Sequence, residues 1–123
     1  MQLTHDPFDE VASIEEIKAT WKEILQMPIQ AADGRVFQFD RDSKEMMDGA
    51  ILYLSSNPSV VMDWRLTDNS TVSCDHASLS NYFNELEMLR AERGTLVDAE
   101  YLGYKSGSAT KRELKNWKDG YIV

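Results

Sequence analysis

Apolar residues recur every three or four positions through SIEEIKATWKEIL. Ile14, Ile17, Trp21, Ile24 and Leu25 share one stripe, and charged or polar residues fill the rest. That spacing predicts an amphipathic helix over 14–27. Ser13 with Glu16 three positions on is a capping box for its start, and Pro28 stops it. The period then shortens. After an Asp33-Gly34 turn, Arg35, Phe37 and Phe39 alternate with Val36 and Gln38, which predicts a short strand with an aromatic inner face. Helical spacing returns at Met46, Met47, Ala50, Ile51 and Leu54, opened by Asp40 or Asp42 and closed at Asn57-Pro58. VVMDWRLTD alternates strictly, with Val60, Met62, Trp64 and Leu66 on one side and Val61, Asp63 and Arg65 on the other. Asp68-Asn69-Ser70 supplies a hairpin turn and TVSC the returning strand. Leu79, Tyr82, Phe83, Leu86, Leu89, Leu96 and Val97 mark a long helix, with a bend or break expected at Gly94. Leu114 and Trp117 lie on one face of a last short helix.

The expected fold is therefore α+β, in the order α-β-α-β-β-α-α, with about three strands in a small antiparallel sheet packed on helices. Four segments follow from the pattern. Residues 1–12 read as a flexible arm, 13–30 as the N-terminal helix, 31–105 as the α+β body and 106–123 as a basic C-terminal tail.

Composition narrows the function. A chain of 123 residues with 42% apolar content suits one modest core. A single cysteine cannot form an internal disulfide, and the polar, acidic start lacks the features of a signal peptide, so a cytoplasmic origin is expected. No apolar run is long enough to span a membrane. Net charge is −8, unevenly spread. Residues 1–104 hold 8 Lys/Arg against 19 Asp/Glu, whereas 105–119 hold 5 against 2. The acidic body argues against direct contact with nucleic acid, which needs clustered cations.

Candidate chemistry is sparse. Cys74-Asp75-His76 brings a thiol near an imidazole, but Asp75 serves better as the cap of the long helix and Cys74 as its buried neighbour. His5 and His76 are too far apart to offer a zinc spacing, and DRDSKEMMD lacks the glycine of a calcium loop. No catalytic residue, metal ligand or cofactor is expected. The tail differs, because Lys115, Trp117, Lys118, Tyr121 and Ile122 gather aromatic and cationic groups of the kind that anchor protein interfaces. With Trp21 on the N-terminal helix, they form the candidate partner-binding set.

One ordered set of residues points further. GRVFQFDRDSKEMMDGAI is followed by DWRLTDNSTVSCDHASLSNYF and a charged helix ending near LRAERG. Within it, Phe37, Asp40 and Ser43 fit F-x-x-D-x-x-S, and Trp64, Asp68 and Asn69 fit W-x-x-x-D-N, with Gly49, Ala50 and Leu79 at further positions. This set, from Gly34 to Gly103, resembles a family of uncharacterised domains found in bacteriophage tail fibre and tail-associated proteins. The resemblance implies a structural or assembly protein of the tail fibre or baseplate region, not an enzyme. Its partners would be other tail or fibre proteins, with self-association open. Its place would be the virion tail, or the host cytoplasm during assembly. Residues 1–30 and 104–123 fall outside the resemblance. The acidity supports a second expectation, a phage protein that blocks a host nucleic-acid-binding protein by imitating phosphate charge.

Overall fold

The computed structural model describes residues 5–123. Eight regular elements follow a 3₁₀ turn at Pro7–Asp9: α1 (Ile14–Leu25), β1 (Ile29–Gln30), β2 (Val36–Phe37), α2 (Arg41–Ser56), β3 (Met62–Arg65), β4 (Thr71–Cys74), α3 (His76–Ser106) and α4 (Lys111–Asp119). The class is α+β, as the periodicity implies. The expected sheet and element order are corrected, because there are four short strands in two separate antiparallel pairs, β1-β2 and β3-β4. The unforeseen strand is β1. Two residues directly after Pro28 are too few to show alternation. Their pairing, Ile29 with Phe37 and Gln30 with Val36, depends on the turn that returns β2 to them. At that turn Gly34 adopts φ +90°, a conformation open to glycine at little cost.

The chain divides into two compact units. One comprises residues up to Leu25 with Arg93–Ile122, and the other Gln26–Glu92. α3 supplies residues to both. Helix propensity carries it through Gly94 without the expected break.

In the 26–92 unit, the core gathers Phe37, Phe39, Met47, Leu54, Cys74, Leu79 and Leu86, all fully buried. Local signals build this core. Asp40 caps α2 by accepting from the Ser43 amide at 2.9 Å, and Asp75 and Ser78 cap α3 reciprocally, each side chain accepting from the other's backbone amide at 2.9 Å. Val60, Met62 and Trp64 pack on the core from β3 and the residue before it, as their alternation predicts.

The other unit has its own core of Ala12, Ile17, Ile24, Val97, Ala109, Leu114 and Trp117. The capping box of α1 is formed, with the Glu16 amide donating to Ser13 Oγ at 3.1 Å and the Ser13 amide to Glu16 Oε1 at 3.3 Å. Val97 is fully buried, but Leu96 is exposed and so leaves the expected stripe. Of the segment read as an arm, residues 1–4 lie outside the described residues. In the remainder, Val11 forms an antiparallel bridge with Thr110, and the Ala12 amide donates to Ala109 O at 2.8 Å.

Candidate docking sites

The Cys74-Asp75-His76 run resolves into a strand end and a helix cap. Cys74 is fully buried, and that burial is the main force raising its thiol pKa. A nucleophile needs the opposite shift and an accessible sulfur. His76 sits exposed on the first turn of α3. Asp75, bonded to the Ser78 amide and then to its hydroxyl, is held below the ordinary carboxylate range. Among the described residues, no group of three or more His, Cys, Asp or Glu is placed to hold a metal ion. None of the helices there is long and apolar enough to cross a membrane.

An open groove of about 490 Å³ runs along β3. One wall is the strand, from Met62 to Thr67, and the other is formed by Gln38, Ser43 and Met46. Met46 is 68% exposed although helical spacing assigns it to the inner stripe of α2. It lies one position before the fully buried Met47, so the stripe boundary passes between them. The rotation of α2 about its axis, which decides that boundary, is set by tertiary packing.

The strand wall of the groove is an unpaired edge. The Leu66 amide donates to Ser70 O at 2.8 Å, and the register pairs Trp64 with Val72 and Met62 with Cys74. Antiparallel ladders alternate hydrogen-bonded and non-bonded pairs, so the backbone groups of Asp63 and Arg65 turn away from β4. Among the described residues they have no backbone partner on that side. The edge closes at Thr67, whose amide donates to Val36 O at 3.2 Å.

The residues predicted to bind a partner all belong to the other unit, and the structure brings most of them onto the chain itself. Trp117 is 5% exposed and packs 4.9 Å from Tyr104. Trp21 stacks on Tyr101 at 4.9 Å, and its Nε1 donates to Asp98 at 2.7 Å. Tyr121 donates its hydroxyl to Glu100. Burial first, and that carboxylate second, push the phenol pKa well above its usual value. Lys115 pairs with Asp119 at 2.6 Å and Lys118 with Glu23 at 2.6 Å. The other α4 cations do likewise, Lys111 with Glu10 at 3.0 Å and Arg112 with Asp6 at 2.5 Å. Of the candidate set, Ile122 presents the most apolar surface, at 62% exposure. The basic tail is thus matched to the acidic beginning of its own chain.

The residues that carry the tail-fibre resemblance have local structural tasks. Phe37 and Leu79 are core, Asp40 and Ser43 form a cap, and Asn69 holds the hairpin turn at φ 74°. Their side chains build the scaffold that presents the β3 edge. No family model, curated protein or solved structure was found to match the chain.

Proposed function

We propose that this chain is a protein-docking module of the phage tail fibre or baseplate region, working by non-covalent association and not by catalysis. The observation that carries the docking part is the open groove in the 26–92 unit. It sets exposed Met46 against the unpaired edge of β3, with Trp64 and Leu66 on the strand wall. An apolar groove beside free backbone donors and acceptors suits an added strand, in which main-chain bonds supply affinity and side-chain pockets supply choice. The virion placement rests on the resemblance of Gly34–Gly103. Mass spectrometry of purified particles tests it, together with copurification on an identified fibre protein. Met46→Asp, at an exposed position, should weaken that association and leave the fold intact. Absence from particles and from fibre assemblies would refute the reading.

A second reading draws on where the charge sits. Residues 26–92 hold 11 Asp/Glu against 5 Lys/Arg, a balance of −6 out of the chain's −8. Such a unit would attract a basic host protein that normally binds nucleic acid. Affinity for that partner would collapse as salt rises, because exposed charges are screened over about 8–10 Å at moderate ionic strength. Fibre docking through the groove would depend on salt only weakly.

A further inference from the structure

We propose that the β3 edge pairs with the β3 edge of a second copy, antiparallel, about a two-fold axis at Trp64. The inference rests on the groove as a docking site, independently of any place in a virion, and it names the occupant.

The argument starts from which backbone groups are available. Only odd-numbered residues of β3 face outward, so an added antiparallel strand bonds through Asp63 and Arg65. When the added strand is β3 itself, odd residues must face odd residues, which leaves few registers. One places Asp63 opposite Asp63 of the second copy, and another places Arg65 opposite Arg65. Both set like charges directly across from one another, which is destabilising. The remaining register sets Asp63 opposite Arg65 of the second copy and, by symmetry, Arg65 opposite its Asp63. Both outward-facing residues then make hydrogen-bonded pairs, and both pairs join opposite charges. On the other face Trp64 meets its own copy at a closely spaced, non-bonded position, and Met62 faces Leu66. Thr67 ends the ladder, since its amide is already committed to Val36.

The free chain holds these side chains ready. Asp63 accepts from Ser73 Oγ at 2.8 Å. Arg65 donates to Asn69 Oδ1 at 2.8 Å and to the Asn69 carbonyl at 3.1 Å. Both remain exposed on the outer face of the hairpin, so little ordering remains to be done on association. The outer edge of β4 offers no comparable selection, because its outward residues, Thr71 and Ser73, carry no charge to fix a register. The product is a closed, isologous pair with one continuous sheet, β4-β3-β3-β4, across the axis.

The test is sedimentation of the full chain over a concentration series, with Asp63→Arg, Arg65→Asp and the double exchange. The wild type is expected to dimerise. Each single exchange turns both opposite-charge pairs into like-charge pairs and should raise the dimer Kd by about tenfold or more. The double exchange restores the pairs and should dimerise like the wild type. The two single variants mixed in equal amounts should form a heterodimer, because one then carries two arginines and the other two aspartates. A monomeric wild type, or single variants that dimerise undiminished, would overturn the proposal. Amide exchange of the wild type gives a separate readout should a variant fail to fold. The Asp63 and Arg65 amides should gain protection as concentration rises, and unchanged exchange in a dimeric sample would place the interface elsewhere. A monomer that still binds a fibre protein through Met46 would sink this inference and leave the docking module standing. A charge-dependent dimer absent from particles would do the reverse.

Discussion

Trp117→Ala separates a docking role for the C-terminal helix from a core role. The indole is 5% exposed, its ring centroid lies 4.9 Å from that of Tyr104, and its core includes Ile17, Ile24, Val97 and Leu114. Truncating a buried tryptophan to alanine costs about 3–5 kcal/mol, from lost transfer energy and the cavity left behind. One feature pulls the value to the low end, because the buried Nε1–H finds no acceptor. Such a group forfeits about 1–3 kcal/mol of desolvation that the wild type already bears and the alanine variant does not. We therefore expect a loss near 3 kcal/mol, against total stabilities of roughly 5–15 kcal/mol for domains of this kind. At about 4 °C per kcal/mol, melting should fall by about 10–15 °C. Trp117→Phe keeps a ring against Tyr104, removes the unpaired donor and should cost less than half as much. The assay is thermal and guanidinium unfolding of the full chain, followed by circular dichroism. A melting temperature unchanged in Trp117→Ala, with loss of partner binding alone, would refute the placement of this residue in the core.

Further expectations follow from the same structure. Cys74 should resist thiol reagents in the folded chain and react at once in denaturant, since burial both covers the sulfur and raises its pKa; rapid labelling of the native protein would show a different environment. Asn69→Gly should be close to neutral and Asn69→Val should lose about 1–2 kcal/mol, because φ 74° is left-handed and bars a branched side chain; equal melting of the two would contradict that turn. Acid should destabilise the chain. Glu10, bonded first to His5 and then to Lys111, Asp33, bonded first to Tyr82, and Asp40, bonded first to Ser43, are all held below their ordinary values. Their contribution is present above the ordinary carboxylate range of about 4 and is lost as pH falls through the folded values. Tyr82, Tyr104 and Tyr121 are shifted the other way, so their contribution is full below about pH 10 and is lost as pH rises through the folded values. Melting temperatures across pH should therefore show a plateau with losses at both ends, and a flat profile down to about pH 3 would contradict the carboxylate contacts.

What was legible in the sequence is what local rules decide. The Ser13–Glu16 box, the Asp40 and Asp75 caps and the hairpin turn at Asn69 each need only a few neighbouring residues. Phe37 and Phe39 announced a buried face by their spacing alone. What stayed hidden required partners distant in the chain. β1 has meaning only through its pairing with β2. The exposure of Met46 depends on how α2 is rotated, which no spacing rule gives to within one residue. The cations of α4 are the clearest case. Lys111 meets Glu10 across 101 positions and Arg112 meets Asp6 across 106. A window along the chain sees only an unmatched basic tail and assigns it an external partner.

Those ion pairs are largely exposed, and pairs of that kind contribute about 0–1 kcal/mol each at best. They cannot be what holds α4 in place. Trp117 and Leu114, nearly excluded from water, supply the energy, and apolar contact is indifferent to register along a helix face. The charges supply what apolar burial lacks, because sliding α4 by one turn would set its cations against the wrong groups. The β3 edge follows the same division. Backbone bonds and apolar faces would hold any added strand, while Asp63 and Arg65 admit one register and one orientation. Charge in this chain selects among contacts whose strength comes from elsewhere. Neutralising Asp63 and Arg65 together, as Asp63→Asn with Arg65→Gln, should therefore loosen the choice of partner more than it weakens pairing itself. Dimers that keep their affinity but exchange with both single-charge variants would be the mark of that loss.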